Sequence, residues 1–360
     1  MLNKTGKLFL FLLFTILFFQ SCIYDFYRKE FASDKKSNDT FFLLAALGLL
    51  PNPNQKLFQF IPGYSRNLSD LQFADASFLE NSNKPKIVFI HGWNPAERDS
   101  DPITGDSKKI INIKNTFLNG IIHYQENRSA VLTDFDLYLY TYRTSNSILV
   151  NGRQFHQTLR SEFSDSDRVY IVAHSMGGLV TRVSLLPEVG NLPFVKTVVT
   201  LASPQFGSPF ATPTFLGNNG FINEVGSYLV DTQGGKELGH TNNGNNQISL
   251  SNAENTILDG INQKFTLNAI FISIAGELLQ SCTGYETFYY KTGCDLLVNQ
   301  GFAVNDGIVP LNSAILGGGT RKNITVSNYD HSMMAFQTTN VDDTKSQTLF
   351  DLVITEIRNF

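Results

Sequence analysis

The sequence contains little of what marks several common protein classes. Its Lys and Arg residues form no dense run outside the N-terminus and the formal net charge is −4, so the chain lacks the basic surface that a nucleic-acid partner requires. It has neither closely spaced cysteine pairs nor a His-Glu-x-x-His sequence, and we therefore expect no bound metal ion. No segment repeats along the 360 residues, of which 42% are hydrophobic, so the chain can bury one large core.

The first residues have the pattern of an export signal. Lys4 and Lys7 precede an apolar run, Leu8 to Phe19, which is too short to span a membrane comfortably and is followed closely by Cys22. A cysteine at this boundary resembles the lipobox of bacterial lipoproteins, in which the cysteine is lipidated and becomes the new N-terminus. We therefore expect residues 1–21 to be a signal peptide and Cys22 to carry a lipid. Ordinary secretion and an uncleaved anchor are the alternatives.

Residues 22–56 are predicted to be a tether. Polar and charged residues as far as Asp39 are followed by an apolar run, Phe41 to Leu50, that is too short to span a bilayer. The protein is thus expected to be exported and lipid-anchored to a bacterial membrane, at the outer membrane or the periplasmic face. In an exported protein, we expect Cys282 and Cys294 to form a disulfide that closes a local loop.

From about residue 85 onward, short apolar runs alternate with stretches of helical periodicity. The runs predict strands at 86–90, 137–142, 169–173, 195–201, 270–275 and 324–327, with a further early strand at 57–61. The helical spacing predicts helices across 110–121, 155–163, 179–183 and 349–357. This alternation predicts an α/β fold, in which a mostly parallel sheet is covered by helices on both faces.

One stretch, residues 207–262, interrupts the alternation. It is rich in Gly and Asn, and helical amphipathic spacing occurs only around residues 221–229. We expect a cap or lid here, inserted into a domain that spans residues 57–360. A structural excursion packed on the core is the alternative.

The segment Ala173-His174-Ser175-Met176-Gly177-Gly178 directly follows one of the predicted strands. It has the pattern of a nucleophile elbow, a strand-turn-helix that lifts a serine clear of the sheet so that its hydroxyl can attack a carbonyl. The usual pattern is G-x-S-x-G, and Ala173 stands in place of the first glycine. The strand and helix backbones crowd together two residues either side of the serine, where Ala173 and Gly177 are small enough to fit.

Ser175 needs a base, because an alcohol is a poor nucleophile near neutral pH. In this architecture the chain order is Ser, then Asp or Glu, then His. Only His240 and His331 follow Ser175 in the sequence. His331 follows a predicted strand and precedes the last helix, so we expect it to be the base; His240 lies within the suspected cap.

The base in turn needs an orienting acid, on a loop after the strand that precedes His331. Asp306 occurs in an Asn-Asp-Gly turn at such a place, and we expect it to be the acid. Glu277, just beyond the strand predicted at 270–275, and Asp295 are the rivals.

The oxyanion that forms on the substrate needs hydrogen-bond donors, usually backbone N–H groups. The sequence His91-Gly92-Trp93 follows the first buried strand, where glycine lets the backbone approach the substrate. We therefore expect the N–H groups of Trp93 and Met176 to form the oxyanion hole and His91 to brace the loop. His156 is interpreted as a surface or boundary histidine.

Five segments, in order, resemble the α/β-hydrolases of the bacterial lipase type over roughly residues 85–360. They are Phe89-Ile90-His91-Gly92-Trp93, Ala173-His174-Ser175-Met176-Gly177-Gly178, Leu201-Ala202-Ser203-Pro204-Gln205-Phe206-Gly207-Ser208-Pro209, Asn305-Asp306-Gly307-Ile308-Val309-Pro310 and Asp330-His331. The third departs from the family at Gln205, where histidine is usual. Some relatives bind calcium through an aspartate shortly after the catalytic histidine, and no such aspartate follows His331 here.

The resemblance implies a serine hydrolase with a Ser175-Asp306-His331 triad that forms an acyl-enzyme. The implied substrates are carboxylic esters, lipid acyl esters in particular, and no cofactor is implied. An acyltransferase that uses the same triad is one alternative. A catalytically silent surface lipoprotein with a binding role is the other.

Overall fold

The computed structural model describes residues 56–61, 72–75, 82–93, 117, 120, 134–212, 232–239, 255–264, 270–279, 281–286, 288–337 and 344–359. The predicted signal peptide, the lipidation site at Cys22, almost all of the tether and His240 lie outside these residues. So does nearly all of the helix predicted across 110–121. In the part of the chain that is described, no helix is long and apolar enough to cross a membrane.

The described residues form strands and helices in the alternating order that the sequence predicts. In chain order they are β1 (Lys56–Ile61), β2 (Gln72–Asp75), β3 (Lys86–Ile90), β4 (Asp136–Thr141), α1 (Ile148–Glu162), β5 (Val169–His174), α2 (Met176–Ser184), β6 (Val195–Leu201), α3 (Gln233–Glu237), α4 (Thr256–Asn262), β7 (Phe271–Glu277), α5 (Phe288–Asn299), α6 (Leu311–Ala314), β8 (Lys322–Ser327) and α7 (Thr344–Arg358). All seven predicted strands are confirmed, with bounds that differ by no more than two residues.

The eight strands form one sheet in the order β2-β1-β4-β3-β5-β6-β7-β8. β1 runs antiparallel to β2 and β4, whereas each adjacent pair in the remaining part of the sheet, β4-β3-β5-β6-β7-β8, is parallel. Every residue of β3 and β5 is buried, as expected of parallel strands that are covered on both faces. β8 lies at the end of the sheet, and its residues are half-buried or exposed.

Helices cover both faces of the sheet. Side chains alternate between the faces along a strand, so Val88 and Ile90 of β3 belong to one core cluster with α1 and α2. Ile87 and Phe89 belong to a second cluster with α7, in which the ring of Phe89 lies 6.0 Å from that of Phe350. The predicted α/β fold, a mostly parallel sheet covered by helices on both faces, is therefore confirmed.

Five elements were not predicted from the sequence: β2, the three short helices α3, α4 and α6, and the longer helix α5. In α5 only Gly293, Cys294 and Leu297 are buried. A helix that buries so few apolar side chains has a weak periodic pattern, which is why the sequence did not indicate it.

The insertion between β6 and β7 contains α3 and α4, and buried polar contacts hold both to the domain. The carboxylate of Glu237 accepts hydrogen bonds from the backbone N–H of Ile148 (2.6 Å) and the hydroxyl of Ser147 (3.1 Å), at the start of α1. The guanidinium of Arg182 donates to the side chain of Asn262 in α4 (2.6 Å). These parts of the predicted cap are thus packed on the core, and the rest of it lies outside the described residues.

Candidate active site

Ser175 lies in the sharp turn between β5 and α2. Its φ is +52°, a backbone conformation that costs a residue other than glycine about 1–3 kcal/mol and persists only where surrounding structure enforces it. Here the N–H of Ser175 donates to the carbonyl of Leu201 (2.9 Å), and its own carbonyl accepts from the N–H of Gly178 (3.0 Å). The turn holds the serine hydroxyl at the carboxyl ends of the parallel strands.

Small residues allow this turn to approach the neighbouring strand. A Cβ on Gly177 would lie 2.6 Å from the carbonyl oxygen of His91 and 2.8 Å from that of Ile90. Ala173, two residues before the serine, is fully buried. The crowding predicted around the serine is therefore present at Gly177.

The side chains of Ser175, His331 and Asp306 form one chain of hydrogen bonds. Nε2 of His331 lies 3.0 Å from Oγ of Ser175, and Nδ1 of His331 lies 2.7 Å from Oδ2 of Asp306. Because an ionised carboxylate only accepts hydrogen bonds, Nδ1 carries the proton, and Nε2 is free to accept the serine proton. All three residues are buried, with 9% or less of each exposed.

The turn that carries Asp306 orients its carboxylate. Oδ1 accepts hydrogen bonds from the backbone N–H groups of Ile308 (2.9 Å) and Val309 (2.7 Å), so Oδ2 is left to face His331. Gly307 has φ +91°, which explains the glycine of the Asn-Asp-Gly sequence. The carboxylate is therefore fixed by main-chain donors as well as by the imidazole.

The two rival acids bond elsewhere. The carboxylate of Glu277 accepts a hydrogen bond from the hydroxyl of Ser327, its neighbour across the β7–β8 pair. The carboxylate of Asp295 forms an ion pair with Lys291 in α5, at 2.6 Å. Among the three acids considered, only Asp306 is placed against the imidazole of His331.

The loop that carries His331 is held by a carboxylate that the sequence analysis did not single out. Oδ1 of Asp330 accepts hydrogen bonds from the backbone N–H groups of Ser332 and Met333 (both 3.0 Å) and from the Ser332 hydroxyl (2.8 Å). Its Oδ2 accepts from the N–H of Glu286 (2.6 Å). Burial raises the pKa of Asp330, and these hydrogen bonds, which lower it, compensate only in part. An aspartate that accepts from backbone N–H groups two and three residues further on forms an Asx-type turn, which is a local pattern, whereas its bond to Glu286 is not.

The loop His91–Trp93 passes directly beside the serine. A Cβ on Gly92 would lie 2.7 Å from Cβ of Ser175, so only glycine fits without a shift. The imidazole of His91 donates from Nδ1 to the carbonyl of Gly92 (2.7 Å) and accepts at Nε2 from the N–H of Tyr142 (3.3 Å). Burial lowers the pKa of His91 to about 4, because the hydrogen bond to Gly92 compensates only in part.

These contacts hold the peptide planes on both sides of Gly92. The hydroxyl of Tyr142 donates to the carbonyl of His91 (2.9 Å), and its ring stacks on the imidazole at 4.4 Å. The carbonyl of Gly92 and the N–H of Trp93 belong to one planar peptide group, so holding the oxygen also sets the direction of the N–H. The N–H of Met176 lies in the first turn of α2, where backbone donors have no partner within the helix.

Helix α3 of the insertion packs against this side of the site. A Cβ on Gly234 would lie 2.9 Å from Cε of Met176 and 2.6 Å from the carbonyl oxygen of Asn146. Its N–H donates to the carbonyl of Ser145 (3.0 Å). The insertion therefore supports the residue whose N–H is expected in the oxyanion hole.

Cys282 and Cys294 are joined by a disulfide. The segment between them carries Glu286, which donates to Asp330, and Tyr290, which contacts Gly307 next to the acid. The disulfide-closed segment thus touches both the loop that carries His331 and the turn that carries Asp306.

Three buried side chains have roles that the sequence did not reveal. His156, interpreted as a surface or boundary residue, is in fact buried, and its Nδ1 donates to the carbonyl of Ser184 (2.8 Å). Gln205 accepts a long hydrogen bond from Arg182 (3.5 Å). His174 contacts His331, with the two imidazole rings 4.8 Å apart.

An apolar cavity of about 620 Å³ lies away from the serine. It is lined by Phe206, Phe302, Val304, Leu311, Ile315 and Leu316, among others, and by none of Ser175, Asp306 and His331. Within the described residues, no group of three or more His, Cys, Asp or Glu side chains is arranged to hold a metal ion.

Comparison with known proteins places the fold. A family model described as PGAP1-like alpha/beta domain matches residues 87–263. The mature form of the Bacillus licheniformis lipase BlEst2 is 18% identical, with a TM-score of 0.51 over 78% of this chain and 94% of that one. Its propeptide form is 16% identical, also with a TM-score of 0.51, over 82% of this chain and 53% of that one. No curated protein sequence matches. At such identities the likeness shows the fold, which is that of the α/β-hydrolases.

Proposed function

We propose that the protein is an exported, membrane-tethered serine hydrolase that cleaves carboxylic esters through an acyl-enzyme. The observation that carries the proposal is the buried chain of hydrogen bonds from Ser175 through His331 to Asp306. Serine nucleophile, base and orienting acid are the three parts that acyl transfer by a serine requires. The α/β-hydrolase fold supports the same class of reaction without establishing it.

The proposed reaction begins with proton transfer from Ser175 to Nε2 of His331 as Oγ attacks the ester carbonyl. Asp306 keeps the imidazole in the tautomer that can accept this proton and stabilises the imidazolium that forms. The N–H groups of Trp93 and Met176 stabilise the negative charge on the tetrahedral intermediate. The imidazolium then gives its proton to the leaving alcohol, and the acyl group stays on the serine.

The second half of the reaction uses the same groups in the opposite order. Water enters, His331 takes its proton, and the resulting hydroxide attacks the acyl-enzyme. The second tetrahedral intermediate collapses, the acid product leaves and Ser175 regains its proton. No cofactor takes part in these steps.

Lipid acyl esters are the proposed substrates. The resemblance to bacterial lipases and the expected lipidation of Cys22 support this, because an anchored enzyme works beside membrane lipids. The Bacillus licheniformis protein of similar fold is a lipase. Hydrolysis across a series of acyl-chain lengths separates lipid esters from short, soluble esters.

The test compares the full chain, solubilised in detergent, with its Ser175→Ala variant on p-nitrophenyl esters of short to long acyl chains. We expect the variant to lose about 10⁴–10⁶-fold in turnover, because the triad acts as a unit. Ser184→Ala is the matched control, since Ser184 is a buried serine in α2 that donates to the carbonyl of Thr181 (2.7 Å). A folded wild type that is inert on every ester, and unlabelled by a serine-directed phosphonate, would contradict the proposal.

A further inference from the structure

His174 is buried between the nucleophile, the base and the oxyanion loop. It is the last residue of β5 and precedes Ser175, and only 8% of it is exposed. Its Nε2 lies 2.9 Å from the carbonyl oxygen of His331, and the two imidazole rings are 4.8 Å apart. On its other side, a Cβ on Gly92 would lie 3.0 Å from Nδ1.

The hydrogen bond to the carbonyl determines the protonation of His174. A carbonyl oxygen only accepts, so Nε2 carries the proton and donates it. Burial, and then the neighbouring charge of His331, lower the pKa of His174 well below its ordinary value. The ring is therefore neutral, and it does not oppose the positive charge that forms on His331 during the proposed reaction.

Besides its hydrogen bond with the hydroxyl of Ser175, three hydrogen bonds hold His331. Two of them come from the acid: the N–H of His331 donates to the carbonyl of Asp306 (2.9 Å), and Nδ1 donates to its carboxylate (2.7 Å). These two bonds fix His331 relative to the acid turn, and neither relates it to the nucleophile. The third, from His174 to the carbonyl of His331, comes from the strand that carries Ser175.

We propose that His174 is a positioning residue for the ester hydrolysis described above. By holding the carbonyl of His331 from the residue next to the nucleophile, it sets the distance between Nε2 of His331 and Oγ of Ser175. Because the loop of the base and the elbow are far apart in the chain, small shifts between them change that distance directly. This inference rests on the proposed function.

The test replaces His174 in two ways that differ in the donor. In His174→Gln the side-chain amide nitrogen takes a position close to that of Nε2 and can donate to the carbonyl. His174→Leu fills similar space with no donor. We expect the leucine variant to lower kcat about 10²-fold with KM unchanged, as misplacement of a catalytic group by about 1 Å does, and the glutamine variant to recover most of the loss.

The matched control is His156→Leu. His156 is also a buried histidine that donates to a backbone carbonyl, but it joins α1 to the end of α2, away from the triad. We expect it to lower the thermal midpoint and leave kcat unchanged. The thermal midpoints of all variants show that loss of kcat is not loss of folded protein.

The outcomes separate this inference from the proposed function. Wild-type kcat in His174→Leu, or equal losses in the leucine and glutamine variants, overturns the positioning role while wild-type activity stands. If the folded wild type neither hydrolyses esters nor reacts with the phosphonate, the proposed function and this inference are both wrong. If the leucine variant does not fold, His174→Asn replaces it, because its shorter side chain cannot reach the carbonyl.

Discussion

Replacing His91 by asparagine should remove a pH-dependent part of the protein's stability. The imidazole is buried against Tyr142, donates to the carbonyl of Gly92 and has its pKa lowered to about 4 by desolvation. Asparagine places a donor near the position of Nδ1 and does not titrate. The substitution therefore keeps much of the loop's hydrogen bonding and removes the ionisable group.

The expected magnitude follows from the difference between the folded and unfolded pKa values. In the unfolded chain the imidazole titrates near 6.5, so between about pH 4 and pH 6.5 the unfolded state binds a proton that the native state does not. The stability that comes from keeping His91 neutral is thus fully present above pH 6.5 and is lost as the pH falls through 4. A decrease in pKa from 6.5 to about 4 corresponds to about 3 kcal/mol of unfolding free energy.

The assay is urea unfolding between pH 4 and pH 7.5, followed by the fluorescence of Trp93, the single tryptophan of the chain. The difference in unfolding free energy between wild type and His91→Asn should be constant above pH 6.5. It should shrink by up to about 3 kcal/mol toward pH 4. Other titrating groups, including His174, occur in both proteins and largely cancel in the difference.

Tyr142→Phe is the matched control. It removes the hydroxyl that donates to the carbonyl of His91 and leaves the imidazole buried. We expect a loss of about 1 kcal/mol that does not change with pH. The reasoning is refuted if the difference between wild type and His91→Asn is the same at pH 5 as at pH 7.

Replacing both Cys282 and Cys294 by alanine should lower the unfolding free energy by about 3 kcal/mol, because the disulfide closes a loop with a sequence separation of 12. Reduced wild type should unfold at the same urea concentration as this variant. The expectation is contradicted if the oxidised wild type also unfolds at that concentration. Asp306→Asn should lower kcat about 10⁴-fold in folded protein, because an amide favours the wrong tautomer of the His331 imidazole. Steady-state kinetics measures this loss, and a kcat near that of the wild type would contradict the prediction. Gly177→Ala should lower the free energy of unfolding by about 1–3 kcal/mol, because the new Cβ would lie 2.6 Å from a backbone oxygen. Gly260→Ala in α4 should leave that free energy unchanged or raise it, because there is open space around Gly260. Thermal denaturation of the two variants checks both expectations.

Much of the fold could be predicted because its signals are local. The strand β6 was predicted with its observed bounds, Val195–Leu201, since a short segment rich in the β-branched residues Val and Thr favours a strand. The elbow at Ser175 is a local pattern too, as it requires only a strand, a small residue on each side and a helix. Helix α5 was missed because most of its surface is half-buried or exposed.

In the candidate site, the roles of several residues depend on contacts between distant parts of the chain, which local sequence patterns do not predict. His174 lies in the elbow motif and Asp330 directly precedes His331, yet their contacts with His331 and Glu286 reach residues 157 and 44 positions away. His156 gives the same lesson, because an isolated histidine on a helix does not show whether its neighbours bury it. Such contacts are set by how helices and loops pack, which no short pattern encodes.

The sequence by itself determined the order and type of the candidate reacting groups: a serine in an elbow, then acids, then a histidine before the last helix. Only the tertiary structure decided between the acids. Glu277 ends β7, where strand register points its carboxylate toward Ser327 in β8, and Asp306 lies on a turn whose main-chain donors aim its carboxylate at His331. The physical reason is that the direction of a side chain depends on register and on the path of the backbone through space. Neither is a property of the residue or of its neighbours in the chain.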